Sequence, residues 1–446
     1  AYSDTAPYDC PKTEAILEDA WKVLEKKFIP QPNKPRSGRG GIIEAIALLA
    51  SGKPEHRKIV HEWVRSPRSP WKPPTDEPGD MFKPGYKGYK GYQSWHHGYG
   101  GLYCAIYYDV TGDDYVLPAL RKYAINAAMG QSAHGSWGHT FSYPSFNGGE
   151  LNRMNPGYGA LNAAGNRCFF LIALAKKLGV EHPAIDAAIE RGRYFFSSYV
   201  DQGAIPYGDH GAASTDDSNG KNTGIAYGLK LLGDDYGARY FAMMSAHCAF
   251  TRRGGHGHDY HGNWSSWAAT LLGPEIRAYN ERNLRWRRTL CRMYDGSFVY
   301  HSPTGGKYGA LRYPTATEVL HQATPYKQTL ITGKGTDESW HMTEREMKQM
   351  LASAYPQISD PWLKEKAGKR ITDRSTEELY DFLDIFKPKV RGIVGKELGK
   401  RYKAGESEIA PRLFELLSHE NARFRDGALR ALKECGGDVV LPNLTK

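Results

Sequence analysis

Residues 202–233 read QGAIPYGDHGAASTDDSNGKNTGIAYGLKLLG, and this stretch decides the fold. It begins as a turn with an apolar plug, continues as a polar loop, and ends in a helix. Ile225, Leu229 and Leu232 lie on one stripe of that helix, which Gly233 ends. The polar side chains therefore precede a helix start, where backbone N–H groups and the helix dipole favour anions.

The same turn recurs along the chain. A glycine followed by a small residue and an aromatic or apolar residue occurs at Gly135, Gly203 and Gly296. The intervals leave room for helical hairpins, which is typical of an array of repeated units. The stretch QSAHGSW (131–137) resembles the Q-x-x-x-G-x-W repeat motif of squalene cyclases and prenyltransferases. That resemblance implies an α/α toroid, in which inner and outer helices surround a central cavity, over roughly residues 90–310.

Three further stretches are similar to a bacterial family of unassigned function, often attached to PDZ-like or HEAT-like modules. They are GYGALN (157–162), DSNGKN (217–222) and HGN (261–263). This second resemblance also implies a toroid, and it supplies no reaction.

The remaining patterns are helical, and no strand pattern of any length is present, so we predict an all-α protein. We expect an α/α toroid over residues 1–340 and a small helical domain over 341–446. Residues 409–432 resemble one HEAT repeat, a module that usually docks to another surface, which predicts a protein partner there.

Composition limits the partners. The 446 residues carry a net charge of +10 and a pI near 9.0, which favours an anionic polysaccharide or another acidic ligand. The sequence contains no dense basic helix of the kind that binds nucleic acid. It also contains no run of 18 apolar residues, the length that a membrane span requires. The start AYSDTAPYDC is typical of a mature end after signal-peptide removal, so an extracytoplasmic location is expected. Most of the six cysteines lie in apolar helical contexts that predict buried free thiols. Disulfide bonds are the alternative, and the sequence does not determine which cysteines would pair.

Two polar stretches allow specific chemistry. Residues 214–217, STDD, stand where class II terpene cyclases place D-x-D-D, which would make Asp216 a general acid. A serine replaces the first carboxylate and the neighbouring loop is polar, so cyclase chemistry is a remote alternative. In the glycine-rich loop 256–261, His256, His258 and His261 are a candidate zinc site, but they lack the helical spacing of established metal motifs. We therefore expect no cofactor, with zinc at this loop as the alternative.

The preferred hypothesis is a polysaccharide lyase or hydrolase whose polar cavity binds an anionic glycan. Such a lyase needs a cation or amide to neutralise the uronate and a base to take the C5 proton. The candidate catalytic residues are His139, Tyr207, Asp209, His210 and Asp216. The candidate substrate-binding residues are Trp95, His97, Trp137, Tyr158, Asn162, Asn219, Lys221, Asn222, His261 and Asn263. The alternative is a non-catalytic binding or scaffold subunit that uses toroid and HEAT-like surfaces.

Overall fold

A computed structural model provides the coordinates. It describes residues 1–28, 40–85, 91–156, 159–208, 211–212, 220–247, 267–299, 313–354, 365 and 368–443. Contacts divide the chain into two compact units. The first contains residues 1–200 and 204–341, and the second contains residues 201–203 and 342–446.

The first unit is all-helical in its described residues, which confirms the predicted class. Its α-helices are α1 (Pro11–Phe28), α2 (Gly40–Leu49), α3 (Pro54–Val64), α4 (Gln93–Thr111), α5 (Leu117–Met129), α6 (Asn162–Lys177), α7 (Pro183–Ser197), α8 (Gly220–Leu231), α9 (Asp235–His247), α10 (Pro274–Cys291) and α11 (Pro314–Gln322). Its 3-10 helices are Asp80–Phe82, Asp114–Val116, Pro144–Phe146, Trp267–Leu272, Thr324–Tyr326, Leu330–Thr332 and Glu338–Trp340.

Helices α6 and α7 show how the sequence separates two layers. Every residue of α6 from Asn162 to Ala175 is buried, as expected for a helix surrounded by protein on all sides. In α7, burial is restricted to one stripe, which includes Ile185, Ile189 and Phe196. Helix α6 therefore belongs to an inner layer, and the amphipathic α7 covers it from outside.

Small residues bring the inner helices together. A Cβ atom added to Gly101 of α4 would lie 2.6 Å from Leu171 of α6, and one on Gly98 would lie 3.1 Å from Cβ of Arg167. On α8, Gly224 faces Asn166 of α6 and Gly228 faces Phe169. In each pair the residue numbers increase together, so α4, α6 and α8 run parallel, and all three begin at the same end of the unit.

The helices of the first unit close into a ring. Helix α2 contacts α4, α4 contacts α6, and α6 contacts α8. The Tyr227 hydroxyl of α8 donates to the Trp267 carbonyl at 3.2 Å, and the Trp267 ring lies 5.5 Å from the ring of His321 on α11. Helix α11 in turn contacts α1 and α2. This closed series is compatible with an α/α toroid.

The turn 131–137 holds inner and outer layers together. The Gln131 amide donates to the carbonyls of Gly135 (2.9 Å) and Ala188 (3.0 Å), and it accepts from Arg191 at 2.9 Å. Gly135 has φ +90°, and a Cβ there would collide with the Arg191 carbonyl oxygen, so the position requires glycine. The Q-x-x-x-G-x-W residues therefore perform an architectural task.

The second unit is also helical in its described residues. Its α-helices are α12 (Glu344–Ala354), α13 (Thr376–Tyr380), α14 (Pro388–Lys403), α15 (Ile409–Leu416), α16 (Ala422–Cys435) and α17 (Gly437–Val440), with 3-10 helices Ile371–Asp373 and Leu441–Asn443. Helices α15 and α16 cover the stretch that resembles a HEAT repeat, and α16 packs on α14. The HEAT assignment itself stays a prediction.

Among the described residues, no helix is both long enough and apolar enough to cross a bilayer. The described cysteines are buried free thiols: Cys10, Cys104, Cys168, Cys291 and Cys435.

Replacing Gly224 of α8 by alanine tests the close packing of the inner helices. The added Cβ would lie 2.8 Å from the backbone carbonyl oxygen of Asn166, which cannot rotate away. We expect Gly224→Ala to lower the free energy of unfolding by about 1–3 kcal/mol in urea denaturation. Gly392→Ala is the control, because Gly392 also lies in a helix and its Cβ would meet open space. We expect that change to be neutral or slightly stabilising, and equal effects of the two substitutions would contradict the packing argument.

Candidate functional site

The amino-terminal ends of α4, α6 and α8 meet two turns at one end of the first unit. The Leu161 N–H donates to the Trp137 carbonyl at 2.6 Å, which attaches the turn 131–137 to the start of α6. The Asn162 N–H donates to the Tyr207 carbonyl at 2.9 Å, which attaches the turn 203–208. We call the side chains gathered here the candidate site: Trp95, Tyr99, His139, Arg167, Tyr207, Lys221 and Asn222.

Asn162 joins the two turns through its side-chain amide. Its side-chain oxygen accepts from the Ser136 hydroxyl at 2.6 Å. Its amide nitrogen donates to the carbonyls of Pro206 (3.1 Å) and Gly208 (2.7 Å), which uses both N–H groups. The sequence predicts a substrate contact for Asn162, whereas the structure gives it an architectural role.

An arginine packs on two stacked aromatic rings in the candidate site. The Trp95 and Tyr99 rings are stacked, with centroids 6.2 Å apart and an interplanar angle of 16°. The guanidinium carbon of Arg167 lies 4.4 Å from the Tyr99 centroid and 5.8 Å from the Trp95 centroid. Arg167 is fully buried, and cation–π contact of this kind stabilises a desolvated charge.

Tyr207 lies beside the same aromatic group. Tyr207 and Trp95 are both partly exposed, and both pack against the buried cluster of Leu161, Ala163 and Ala164. The structure therefore brings two of the predicted residues together as an aromatic surface that solvent can reach. Flat rings with a polar edge are suited to the faces and hydroxyl groups of a sugar.

His139 is held in one tautomer. The Trp95 indole N–H donates to Nδ1 of His139 at 2.8 Å. Because an indole nitrogen only donates, Nδ1 accepts, and the proton of the neutral ring lies on Nε2. His139 thus offers a donor at Nε2, and Nδ1 cannot take a proton from a substrate while the bond to Trp95 is kept.

Lys221 is a buried cation in the first turn of α8. Its side chain is 1% exposed, and within the described part of the chain no carboxylate pairs with it. Burial, together with the charge of Arg167, lowers the pKa of Lys221 to about 7. An ammonium group is costly in such a place unless an anion accompanies it.

Asn222 adds a second uncompensated donor. Its side-chain oxygen accepts from the Ile205 N–H at 3.0 Å, which fixes the orientation of the amide. Its Nδ2 atom is buried and has no hydrogen-bond partner among the residues that the structure describes. Buried polar groups are nearly always paired, so an orphan of this kind is an attachment point for a ligand atom or water. Nδ2 of Asn222, Nζ of Lys221 and Nε2 of His139 are all donors.

Two predicted substrate residues belong to the core instead. Trp137 has no exposed surface, and its indole N–H donates to the Ala127 carbonyl at 2.7 Å. His97 is buried against Phe141, with its ring nitrogens bonded to the Gln93 carbonyl (3.1 Å) and the Asn126 amide (3.4 Å). Burial lowers the pKa of His97 to about 3, so this ring is neutral at physiological pH.

Several sequence predictions fall outside the described residues. They are Tyr158, Asp209, His210, Asp216, Asn219, His256, His258, His261 and Asn263. The candidate zinc loop lies wholly among them. In the described ranges, no group of three or more His, Cys, Asp or Glu side chains is placed to hold a metal ion.

Sequence reasoning missed Arg167 and Tyr99. Arg167 is the only charged residue in the run 160–175, and a charge inside an otherwise apolar buried helix is a signal for a functional or paired group. Tyr99 follows Trp95 by four residues on α4, which places both rings on one helix face.

Comparisons with known proteins identify a family whose function is unknown. The family model DUF6288, described as a domain of unknown function, matches residues 13–333. No curated protein matches the chain. A solved structure titled as a polysaccharide lyase is similar over 71% of this chain and 98% of that chain, with 14% identity and a TM-score of 0.46. So distant a likeness carries no conclusion about the reaction.

Replacing Asn162 by alanine tests its role as the junction of the two turns. The change leaves the Pro206 and Gly208 carbonyls without their donor, and buried unsatisfied groups cost about 1–3 kcal/mol each. We expect Asn162→Ala to lower the free energy of unfolding by about 2–4 kcal/mol in urea denaturation. The control is substitution of His134, an exposed residue of the turn 131–137. A loss of stability as small for Asn162→Ala as for the control would contradict the role of Asn162 as the junction.

Replacing Lys221 by methionine tests the cost of the buried ammonium. The folded chain holds Lys221 with a pKa of about 7 against an ordinary value of 10.5, so between these values the unfolded chain binds more protons. The free energy of unfolding of the wild type therefore gains a contribution of about 2 kcal/mol between pH 7 and pH 9, while Lys221→Met lacks it.

We expect Lys221→Met to be more stable than the wild type at pH 6–7, with an advantage that shrinks toward pH 9. Thermal unfolding across this pH range is the measurement. The exposed Lys177→Met is the control for loss of a surface charge. An advantage that does not vary with pH would show that Lys221 keeps its ordinary titration.

Proposed function

The chain belongs to the DUF6288 family, whose function is unknown, and from the candidate site we propose that it is a carbohydrate-active protein that binds and cleaves an anionic polysaccharide. The ligand would be a polymer containing uronate sugars, and the reaction would be elimination or hydrolysis. The observation that carries this proposal is the buried Lys221 beside Arg167, which pairs with no carboxylate among the described residues.

The charge of the site selects an anion. Arg167 and Lys221 are buried cations, and the amide of Asn222 adds a buried donor without a partner. All three lie at the amino-terminal halves of parallel helices, where the helix dipoles add positive potential. A ligand carboxylate would offset the desolvation of Lys221 and would accept from the Asn222 amide.

The aromatic residues select a ring. Trp95 and Tyr207 are partly exposed and pack against the same buried cluster, and Trp95 also contacts Arg167. A ligand that needs both a stacking surface and an anion seat is a sugar ring with an attached acid group.

In a uronate polymer, groups that neutralise the sugar carboxylate also promote elimination. In elimination, a base takes the C5 proton, the C5–H electron pair forms the C4=C5 double bond, and the C4–O bond breaks. The electron pair of that bond leaves with the oxygen, which takes a proton from an acid. Cations at the carboxylate make the C5 proton more acidic, because they stabilise the charge that develops in the transition state. The Nε2–H of His139 and the hydroxyl of Tyr207 are the described groups that suit proton transfer to the leaving oxygen.

The proposed location follows from the same substrate class. We propose an extracytoplasmic location, because polymeric acidic glycans are encountered outside the cytoplasm. We also propose that α15 and α16 of the second unit contact a protein partner. Fractionation of cells that produce the protein, followed by detection of the chain in each fraction, tests the location.

Binding and cleavage of uronate polymers test the proposed function. The full chain is incubated with polygalacturonate, alginate and a neutral glucan, while ultraviolet absorbance and new reducing ends are recorded. Elimination gives both signals, because its product contains a conjugated double bond, whereas hydrolysis gives reducing ends alone. We expect a reaction with a uronate polymer and none with the neutral glucan.

Lys221→Met and Asn222→Asp are the informative variants. Asn222→Asp keeps the oxygen that accepts from Ile205 and replaces the free donor by a negative charge. We expect each variant to weaken binding of the uronate polymer at least about 30-fold, equivalent to about 2 kcal/mol. Lys177→Met should bind as the wild type does. Binding without turnover would support the non-catalytic alternative, and no preference for the acidic polymers would refute the proposal.

A further inference from the structure

One face of α14, in the second unit, exposes positive charge. The helix packs on α16 through Gly395 and Gly399, where an added Cβ would lie 3.0 Å from the Ala431 nitrogen and 2.5 Å from Cβ of Glu434. The exposed residues of α14 follow a different stripe. We call its exposed lysines the lysine row: Lys389, Lys396, Lys400 and Lys403.

The spacing of the lysine row places its members on one side of the helix. They follow one another at intervals of seven, four and three residues. Because an α-helix turns about 100° and rises about 1.5 Å per residue, the row lies within an arc of about 60° and extends about 21 Å along the axis. Ile393, which is 40% exposed, borders this arc. The row is therefore a narrow, straight line of charge.

The charge of the row is not offset by neighbouring residues. Among the residues that the structure describes, its four lysines form no ion pair and no hydrogen bond. Glu397 of α14 is paired with Arg401 at 3.0 Å, and Asp426 of α16 is paired with Arg391 at 3.0 Å. Glu434, at the contact with α16, is the one acidic residue of these two helices that borders the row without a described partner. Four cations thus stand against one carboxylate.

We infer that the lysine row binds a linear acidic polysaccharide, through residues that are separate from the candidate site. A small anion reaches one or two of the lysines, whereas a partner that neutralises the whole row must repeat its charge over about 21 Å. The choice of a glycan as this partner rests on the proposed function, which makes an acidic polymer the ligand of the chain. Attraction at such a surface raises the concentration of the polymer near the protein.

The residue types of the row favour a glycan over a nucleic acid. Single strands are held by aromatic side chains between the cations, and base edges of a duplex are read by arginine forks. The row contains neither, since Tyr402 lies on another side of α14. A lysine ammonium is a point charge that meets a carboxylate in many geometries. Acidic protein segments also carry carboxylates, and the experiment below separates them from glycans.

Binding of the full chain to immobilised polygalacturonate and alginate at increasing NaCl concentrations tests the row. The row variant combines Lys389→Gln, Lys396→Gln, Lys400→Gln and Lys403→Gln. We expect it to bind at least about tenfold more weakly than the wild type at low salt, because four exposed charge pairs are lost. Its affinity should also depend less on NaCl, since fewer screened contacts remain.

Two matched variants show whether position and charge both matter. The first carries the same loss of charge at exposed lysines elsewhere: Lys58→Gln, Lys72→Gln, Lys177→Gln and Lys348→Gln. It should bind within about twofold of the wild type, because single scattered charges contribute little. The second replaces the four row lysines by arginine, which keeps the charge, and it should also bind as the wild type does. Thermal unfolding of each variant confirms that it is folded.

The outcomes distinguish this inference from the proposed function. Equal binding by the row variant and the scattered control, or an equal loss in the glutamine and arginine variants, overturns the inference and leaves the function standing. Tighter binding of polyglutamate than of either glycan through the row overturns the glycan as its partner. Binding that depends on the row, with no cleavage and no effect of Lys221→Met, refutes the function and supports the inference. Absence of binding to both glycans overturns both.

Discussion

The close approach of α4, α6 and α8 is the constraint on which the rest of the first unit depends. Glycines at the contacts let the backbones come near enough for parallel packing, as at Gly101 against Leu171 and Gly228 against Phe169. Parallel helices start at a common end, which gathers three positive dipole ends and the side chains of their first turns. With larger residues at these contacts, Arg167 and Lys221 could not share one buried environment.

That environment carries a free-energy cost that the fold alone does not offset. Arg167 is stabilised by the Trp95 and Tyr99 rings, whereas Lys221 is buried beside it without a described counter-ion. Perturbed ionisable groups of this kind are concentrated at functional sites. The hydrogen bonds of the Asn162 side chain hold the two surrounding turns together.

Much of the architecture was accessible from sequence, because it follows from local rules. Helical periodicity predicted an all-α chain, and the Q-x-x-x-G-x-W turn indicated the toroid, since its glutamine and glycine serve the contact with α7. The site was harder to predict. The predicted residues that lie at the helix starts or in the adjoining turns are Trp95, His139, Tyr207, Lys221 and Asn222. Three others of similar type, His97, Trp137 and Asn162, are engaged in core packing or in hydrogen bonds that hold the turns. Residue type and loop position cannot distinguish these groups, because the difference is which neighbour satisfies each polar atom.

By itself, the sequence determined the helices, the repeated glycine turns and an excess of positive charge, since each depends on residues near one another in the chain or on composition alone. Only the tertiary structure decided that α11 closes the ring against α1 and α2, and that Arg167 acts on Lys221 from a different helix. It also decided the tautomer of His139, through a bond from Trp95, 44 positions away. These properties depend on burial and on contacts between distant segments, which no local pattern encodes.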